Sequence, residues 1–231
     1  MKSGKRYNKA SELIEKEKSY SLNEAVDIIK KTATAKFDET INMSVKLGVD
    51  PKHSEQMVRS TVLLPHGTGK SIRVAVITKA EKEARDAGAD IVGFADLIED
   101  IKNGKTDFDI LITTPDMMKD VGKLGKVLGP KGLMPSPKAG TVTFDVAQAV
   151  KDCKRGKVEF RVDAEGIIHL GIGRKSFSAQ NLVENIATFF ETVFKVKPQA
   201  AKGQYLISAY ISATMGPSIK LNITEIVNNY K

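Results

Sequence analysis

The spacing of apolar residues changes twice along this chain, and that change limits the architectures open to it. Ile41, Met43, Val45, Leu47 and Val49 alternate with Asn42, Ser44, Lys46 and Gly48. A period of two turns one set of side chains to a core and the other to water, as in a half-buried antiparallel strand. The period returns near the C-terminal end. Val158, Phe160 and Val162 are followed by a turn at 164–166, then by Ile168, Leu170 and Ile172. Ile207, Ala209, Ile211 and Ala213 alternate again, and Ile219, Leu221 and Ile223 predict a last strand. Between these ends, 74–77 and 110–112 are continuous apolar runs, expected of parallel strands buried on both faces.

Helical spacing surrounds both kinds of strand. Ser21-Leu22-Asn23-Glu24 reads as a capping box ahead of Leu22, Ala25, Val26 and Ile29. A shorter amphipathic helix is expected at 10–18. A long one at 178–195 offers Leu182, Ile186, Phe189, Phe190 and Val193 to a core. In the middle, helical stretches at 79–87, 97–102, 116–121 and 145–154 alternate with the apolar runs, and Gly88 and Gly104 sit where helices stop. That alternation predicts a doubly wound, Rossmann-like three-layer α/β block. Residues 1–66 hold too few strands for a core of their own. The expected fold is therefore α/β (α+β) with two domains. Residues 1–66 and 157–231 form one discontinuous antiparallel-sheet α+β domain, and 67–156 form the inserted α/β domain. The crossings fall near Pro65-His66-Gly67 and Gly156.

Composition narrows the function. The 231 residues carry 36 Lys+Arg and 28 Asp+Glu, a net charge of +8, with one Cys and three His. Excess positive charge points to a polyanionic partner. One Cys excludes an intramolecular disulfide and a Cys-based zinc site, and three scattered His speak against a multi-His metal centre. No apolar run approaches the ~20 residues of a membrane span. The basic start has no apolar core, so a soluble, reducing, cytoplasmic setting is expected. The charge is uneven: residues 67–159 net +2 and the two ends +6. From Gly122 to Phe144 there is no acid, while Lys123, Lys126, Lys131 and Lys138 stand among glycines and prolines. Leu124, Val127, Leu128, Leu133 and Met134 could pin this expected loop to its domain and leave the lysines outward.

Catalytic patterns fail. His66-Gly67-Thr68-Gly69-Lys70-Ser71 has Leu64 where a phosphate loop needs glycine, and it precedes a strand. Gly171-Ile172-Gly173 lacks the third glycine of a dinucleotide site. Cys153 reads as a buried, inert thiol. No nucleophile is paired with a base, so no catalytic residue, metal or cofactor is assigned. The alternative kept open is a phosphate-binding α/β transferase using the 122–141 loop.

The polar face of the split domain offers Asn42, Ser44, Lys46, Arg161, His169, Ser208, Tyr210, Ser212 and Thr214. Hydroxyls and amides suit phosphate and ribose contacts better than acid–base chemistry, and one tyrosine is too few for a base-stacking platform. In the 35–40 stretch, Lys36 beside Phe37 can grip phosphate and sugar together. In the 212–218 stretch, Gly216 permits close backbone approach and Met215 supplies an adaptable apolar contact.

At these residues the sequence resembles the bacterial ribosomal protein L-one family, the protein of the large-subunit mobile stalk. AKFDETINMSVKLGVDP (35–51), LLPHGTGK (63–70), LGPKGLMPSPKAGTV (128–142) and ATMGPS (213–218) carry the resemblance. It implies a non-enzymatic rRNA-binding protein, monomeric when free, with RNA contacts at Lys36, Phe37, Thr40, Ser176, Ser208, Thr214, Met215 and Gly216. His169 and Arg174 are neighbours of that site. It also implies large-subunit (23S) rRNA near the exit site, exit-site tRNA and the protein's own operon mRNA as partners, with Lys123, Lys126, Lys131 and Lys138 facing ribosome or tRNA. Arg174-Lys175 and the tail after Asn222 lie outside the stretches that carry the resemblance.

Overall fold

The computed structural model describes residues 4–15, 18–78 and 81–230. In chain order the elements begin with α1 (Lys5–Ser11), α2 (Leu22–Thr32), β1 (Thr40–Leu47), β2 (Arg59–Leu63) and β3 (Val74–Ile77). Next come α3 (Glu81–Asp86), β4 (Ile91–Gly93), α4 (Ala95–Lys102), β5 (Ile110–Thr113), α5 (Met118–Gly122) and α6 (Gly125–Lys131). The chain continues with α7 (Val146–Arg155), β6 (Lys157–Arg161), β7 (Ile167–Arg174), α8 (Ala179–Lys195), β8 (Leu206–Ala213), β9 (Ser218–Lys220) and α9 (Ile223–Tyr230). The fold is α+β, and the chain divides into two compact units: Met1–Gly69 with Glu159–Lys231, and Lys70–Val158.

In the split unit, β1 forms the centre of a sheet ordered β7-β1-β8-β9, every pair antiparallel. The alternation of 41–47 places Ile41, Met43, Val45 and Leu47 at 1 % exposure or less. That face of the sheet is covered by α2, which packs on β8 and β9, and by α8, which packs on β7. Phe189 and Phe190 of α8 are fully buried, and Phe160 meets Phe189 edge-on at 5.5 Å. Full burial of such a side chain stabilises the fold by about 1.5–3 kcal/mol. The α2 cap is the expected box: Ser21 Oγ accepts from Glu24 N–H, and the Glu24 carboxylate accepts from Ser21 N–H. β6 pairs with β2 in a separate two-stranded sheet.

The inserted unit has a parallel sheet ordered β4-β3-β5, with Val142 bridging parallel to Thr113 beyond β5. Ala75, Ile77 and Leu111 face a helical layer that includes Leu97 and Ile101 of α4, Leu124 and Leu128. Val74, Val76 and Ile112 face Ala84 of α3 and Val150 and Cys153 of α7. Helices on both faces of a parallel sheet make the three-layer arrangement.

Several expectations shift. The first helix spans Lys5–Ser11 rather than 10–18; Lys16 and Glu17 of that expectation lie outside the described residues. Lys79 and Ala80 likewise lie outside, and the helix there is Glu81–Asp86. Ile223 opens α9 instead of ending a strand, because Asn222 Oδ1 accepts from the main-chain N–H groups of Thr224 and Glu225 and turns the chain into a helix. The stretch 122–141 is not an open loop. It holds α6 and a short 3₁₀ turn, with Leu124 and Leu128 buried and Val127, Leu133 and Met134 packed on the same core. Val49 falls beyond the end of β1.

Candidate nucleic-acid interface

Three segments distant in sequence meet at the end of the sheet where β1 begins. They are 35–40, which leads into the first residue of β1, 174–176, which starts at the last residue of β7, and the β8–β9 turn at 214–216. Two carboxylates join them. Glu39, 1 % exposed, accepts a hydrogen bond from Ala35 N–H at 2.8 Å with one oxygen and from Met215 N–H at 3.0 Å with the other. Its main-chain carbonyl accepts from Lys175 N–H at 2.9 Å. Asp38 accepts from Ser176 N–H at 3.0 Å and from the Ser176 hydroxyl at 2.8 Å, with Arg174 Nη1 3.8 Å from its carboxylate.

Thr214 closes the third side. Its hydroxyl accepts from Thr40 N–H at 3.1 Å and donates to Thr40 C=O at 3.0 Å. That hydroxyl is engaged in holding main chain, so Thr214 acts by fixing the turn. The turn then displays Met215, 52 % exposed, and the 35–40 segment displays Phe37, 53 % exposed, with Lys36 also exposed. Nothing within the chain demands glycine at 216. The three atoms nearest an added Cβ all belong to Ala213, the closest its Cβ at an ordinary 3.4 Å, and the residue does not have positive φ. The missing side chain leaves room for a partner's backbone.

From this end the outward sheet face runs on as a row of polar side chains. Asn42 lies opposite Ser212, Ser44 opposite Tyr210 and His169, and Lys46 opposite Ser208. Ser44 Oγ and His169 Nδ1 are 3.0 Å apart, and His169 Nε2 is 3.5 Å from Asp163. Main-chain N–H bonds from Ile167 and then Glu165, helped by His169, hold the Asp163 carboxyl below its ordinary value. His169 and Ser208 thus share the face with the three segments but stand along the strands rather than in the cluster. Lys123, Lys126, Lys131 and Lys138 belong to the other unit. There Lys123 pairs with Asp120 at 2.8 Å, and Lys131 hydrogen-bonds Thr106.

Sequence reading missed the residues that position the site. Glu39 and Asp38 sit in a polar stretch with no periodicity, and their partners are up to 176 residues away. Asn185, fully buried on α8, accepts from His66 N–H at 3.1 Å and donates to Gly67 C=O at 3.0 Å and Ile172 C=O at 2.8 Å. Its only signal is an amide on an otherwise apolar helix stripe. Among the described residues no His/Cys/Asp/Glu group is arranged to hold a metal ion. None of their helices is long and apolar enough to cross a membrane.

The geometry offers exposed apolar side chains beside a cation, a bare glycine and a hydroxyl-lined face. That chemistry suits binding to phosphate and ribose. The model of the ribosomal protein L1p/L10e family matches residues 29–217, a span that contains all three segments and the strands between them. The chain belongs to the ribosomal protein L1p/L10e family, structural proteins of the large ribosomal subunit that bind its rRNA.

Proposed function

We propose that the split unit seats 35–40, 174–176 and 214–216 on a folded segment of large-subunit (23S) rRNA in the mobile stalk near the exit site. In this reading Lys36 and Arg174 face phosphates. Phe37 and Met215 cover sugar or base, and Gly216 lets a ribose–phosphate strand lie against the turn. Ser176 and Ser208 read ribose hydroxyls, Thr40 and Thr214 hold the frame, and His169 borders the contact. Bound there, the protein assists release of deacylated tRNA from the exit site, with Lys123, Lys126, Lys131 and Lys138 turned toward ribosome or tRNA. The same surface binds an rRNA-like fold in the protein's own operon mRNA and represses its translation.

The observation that supports the reading is the buried Glu39 carboxylate tying Ala35 to Met215. A carboxylate buried to fasten two surface loops leaves the segments that carry Phe37 and Met215 with little conformational entropy left to lose on binding. The test is filter binding to a large-subunit rRNA fragment. Stacking on an aromatic ring is worth about 1–3 kcal/mol, so Phe37→Ala lowers affinity roughly 5- to 150-fold. Met215→Asp, which places an anion against phosphate, weakens binding at least as much. Unchanged affinity in both variants rejects the site. For repression, a reporter carrying the operon leader is silenced by the wild-type chain and released by Phe37→Ala; a reporter indifferent to the protein rejects that role.

A further inference from the structure

The opposite end of the same sheet face carries a second grip. In the β1–β8 ladder, Lys46 pairs with Ser208 and Leu47 with Leu206, so Ile207 is an extra residue. Such a bulge puts two consecutive side chains on one face. Alternation predicts Ile207 in the core, yet it is 44 % exposed, while its neighbour Leu206 is buried. Ile207 thus joins Ser208 and Tyr210 on the outward face, as an apolar side chain in a polar row.

Gly48 shapes this end. A Cβ there would stand 2.2 Å from the Gln204 carbonyl oxygen, so only glycine admits the 204–205 backbone, whose Tyr205 C=O accepts from Gly48 N–H at 2.7 Å. Ile207 Cδ1 lies 3.7 Å from the same point. Around it opens a depression whose lining includes Lys46, Ile207 and Lys202 together with Asp50 and Glu165. The Asp50 carboxylate already accepts from Lys52 N–H at 3.0 Å.

We infer that Ile207, Lys46 and Lys202 form a second RNA contact, so that one RNA segment lies along the whole outward face of β7-β1-β8. β1 has eight residues, which at ~3.3 Å per residue separates the two ends by about 23 Å. Each end combines an exposed apolar side chain with lysine: Phe37 and Met215 with Lys36 at one, Ile207 with Lys46 and Lys202 at the other. Hydroxyls and amides fill the interval. Continuity with the first contact and the two lysines specify an RNA backbone as the occupant. The bulge serves to bring an apolar side chain to the face where simple alternation would bury it.

This inference rests on the rRNA reading above, and its test separates the two. An iron chelate is tethered through a cysteine at Ile207→Cys or, at the other end, at the exposed Thr34→Cys. Cys153 is buried and its thiol is pushed up by burial, so it does not compete. Hydroxyl radicals from both tethers are expected to cut large-subunit rRNA, at different nucleotides of one region. Lys46→Gln with Lys202→Gln is expected to lower the salt dependence of binding by about one for each phosphate no longer neutralised. Cutting from position 34 but not 207, with an unchanged salt slope, overturns the second RNA contact alone. No cutting from either position overturns the rRNA reading with it.

Discussion

Glu39→Gln is the sharpest perturbation of the interface. The carboxylate accepts two main-chain N–H groups, one per oxygen, at 2.8 and 3.0 Å. A glutamine offers one oxygen and one NH₂, so one N–H keeps an acceptor and the other faces a donor. A hydrogen bond to a charged acceptor contributes about 1.5–3 kcal/mol, and the substitution forfeits one. For a chain of this size each kcal/mol moves the melting temperature by about 2–4 °C, so the split unit should melt about 3–12 °C lower. RNA affinity should fall in step, because the loop carrying Met215 or the loop carrying Phe37 is released. Thermal unfolding with filter binding on the same preparations measures both. A melting temperature within about 1 °C of wild type, together with unaltered RNA affinity, refutes the claim that this carboxylate fastens the site.

Three other outcomes follow from the packing and the charges. Leu128→Ala removes a fully buried side chain from the core of the inserted unit; it should cost about 2–5 kcal/mol, and hydrogen exchange in β3 that stays as slow as wild type contradicts this. Gly48→Ala forces a Cβ to within 2.2 Å of the Gln204 carbonyl oxygen, and overpacking of this kind costs about 1–3 kcal/mol or more; a urea midpoint equal to wild type argues against the close approach. Asp163 has its folded-state pKa held below the ordinary 3.8. Its contribution is therefore present above the unfolded value and lost as pH falls through the lower folded one. A carboxyl NMR titration with its midpoint at or above the ordinary value sinks the proposed turn geometry.

The split between alternating and continuous apolar runs was legible because it reflects burial on one face or two. The strand at 40–47, the long helix from 179 and the capping box at Ser21 all follow from local spacing. The bulge at Ile207 was not legible, because register depends on a partner strand some 160 residues earlier. β4 has only three residues and carries too little pattern to register. Glycines and prolines disguised α6, where Leu124, Val127 and Leu128 nonetheless bury a helical stripe and Pro130 falls in the last turn. Gly132, at φ 71°, ends that helix with its N–H on Gly129 C=O. At the site, Lys36, Phe37 and Met215 stood out as chemistry-bearing residues in short polar loops. The carboxylates that hold them had no such signature, since a buried acid is recognisable only once its distant main-chain donors are in place.

The most direct test of the central claim is a hydroxyl-radical footprint of large-subunit rRNA with the wild-type chain and with Phe37→Ala combined with Met215→Asp. The account predicts one compact protected region with wild type, and loss of that protection in the double variant while its fold persists by circular dichroism. Protection that survives in the double variant places the RNA elsewhere on the protein and contradicts the account.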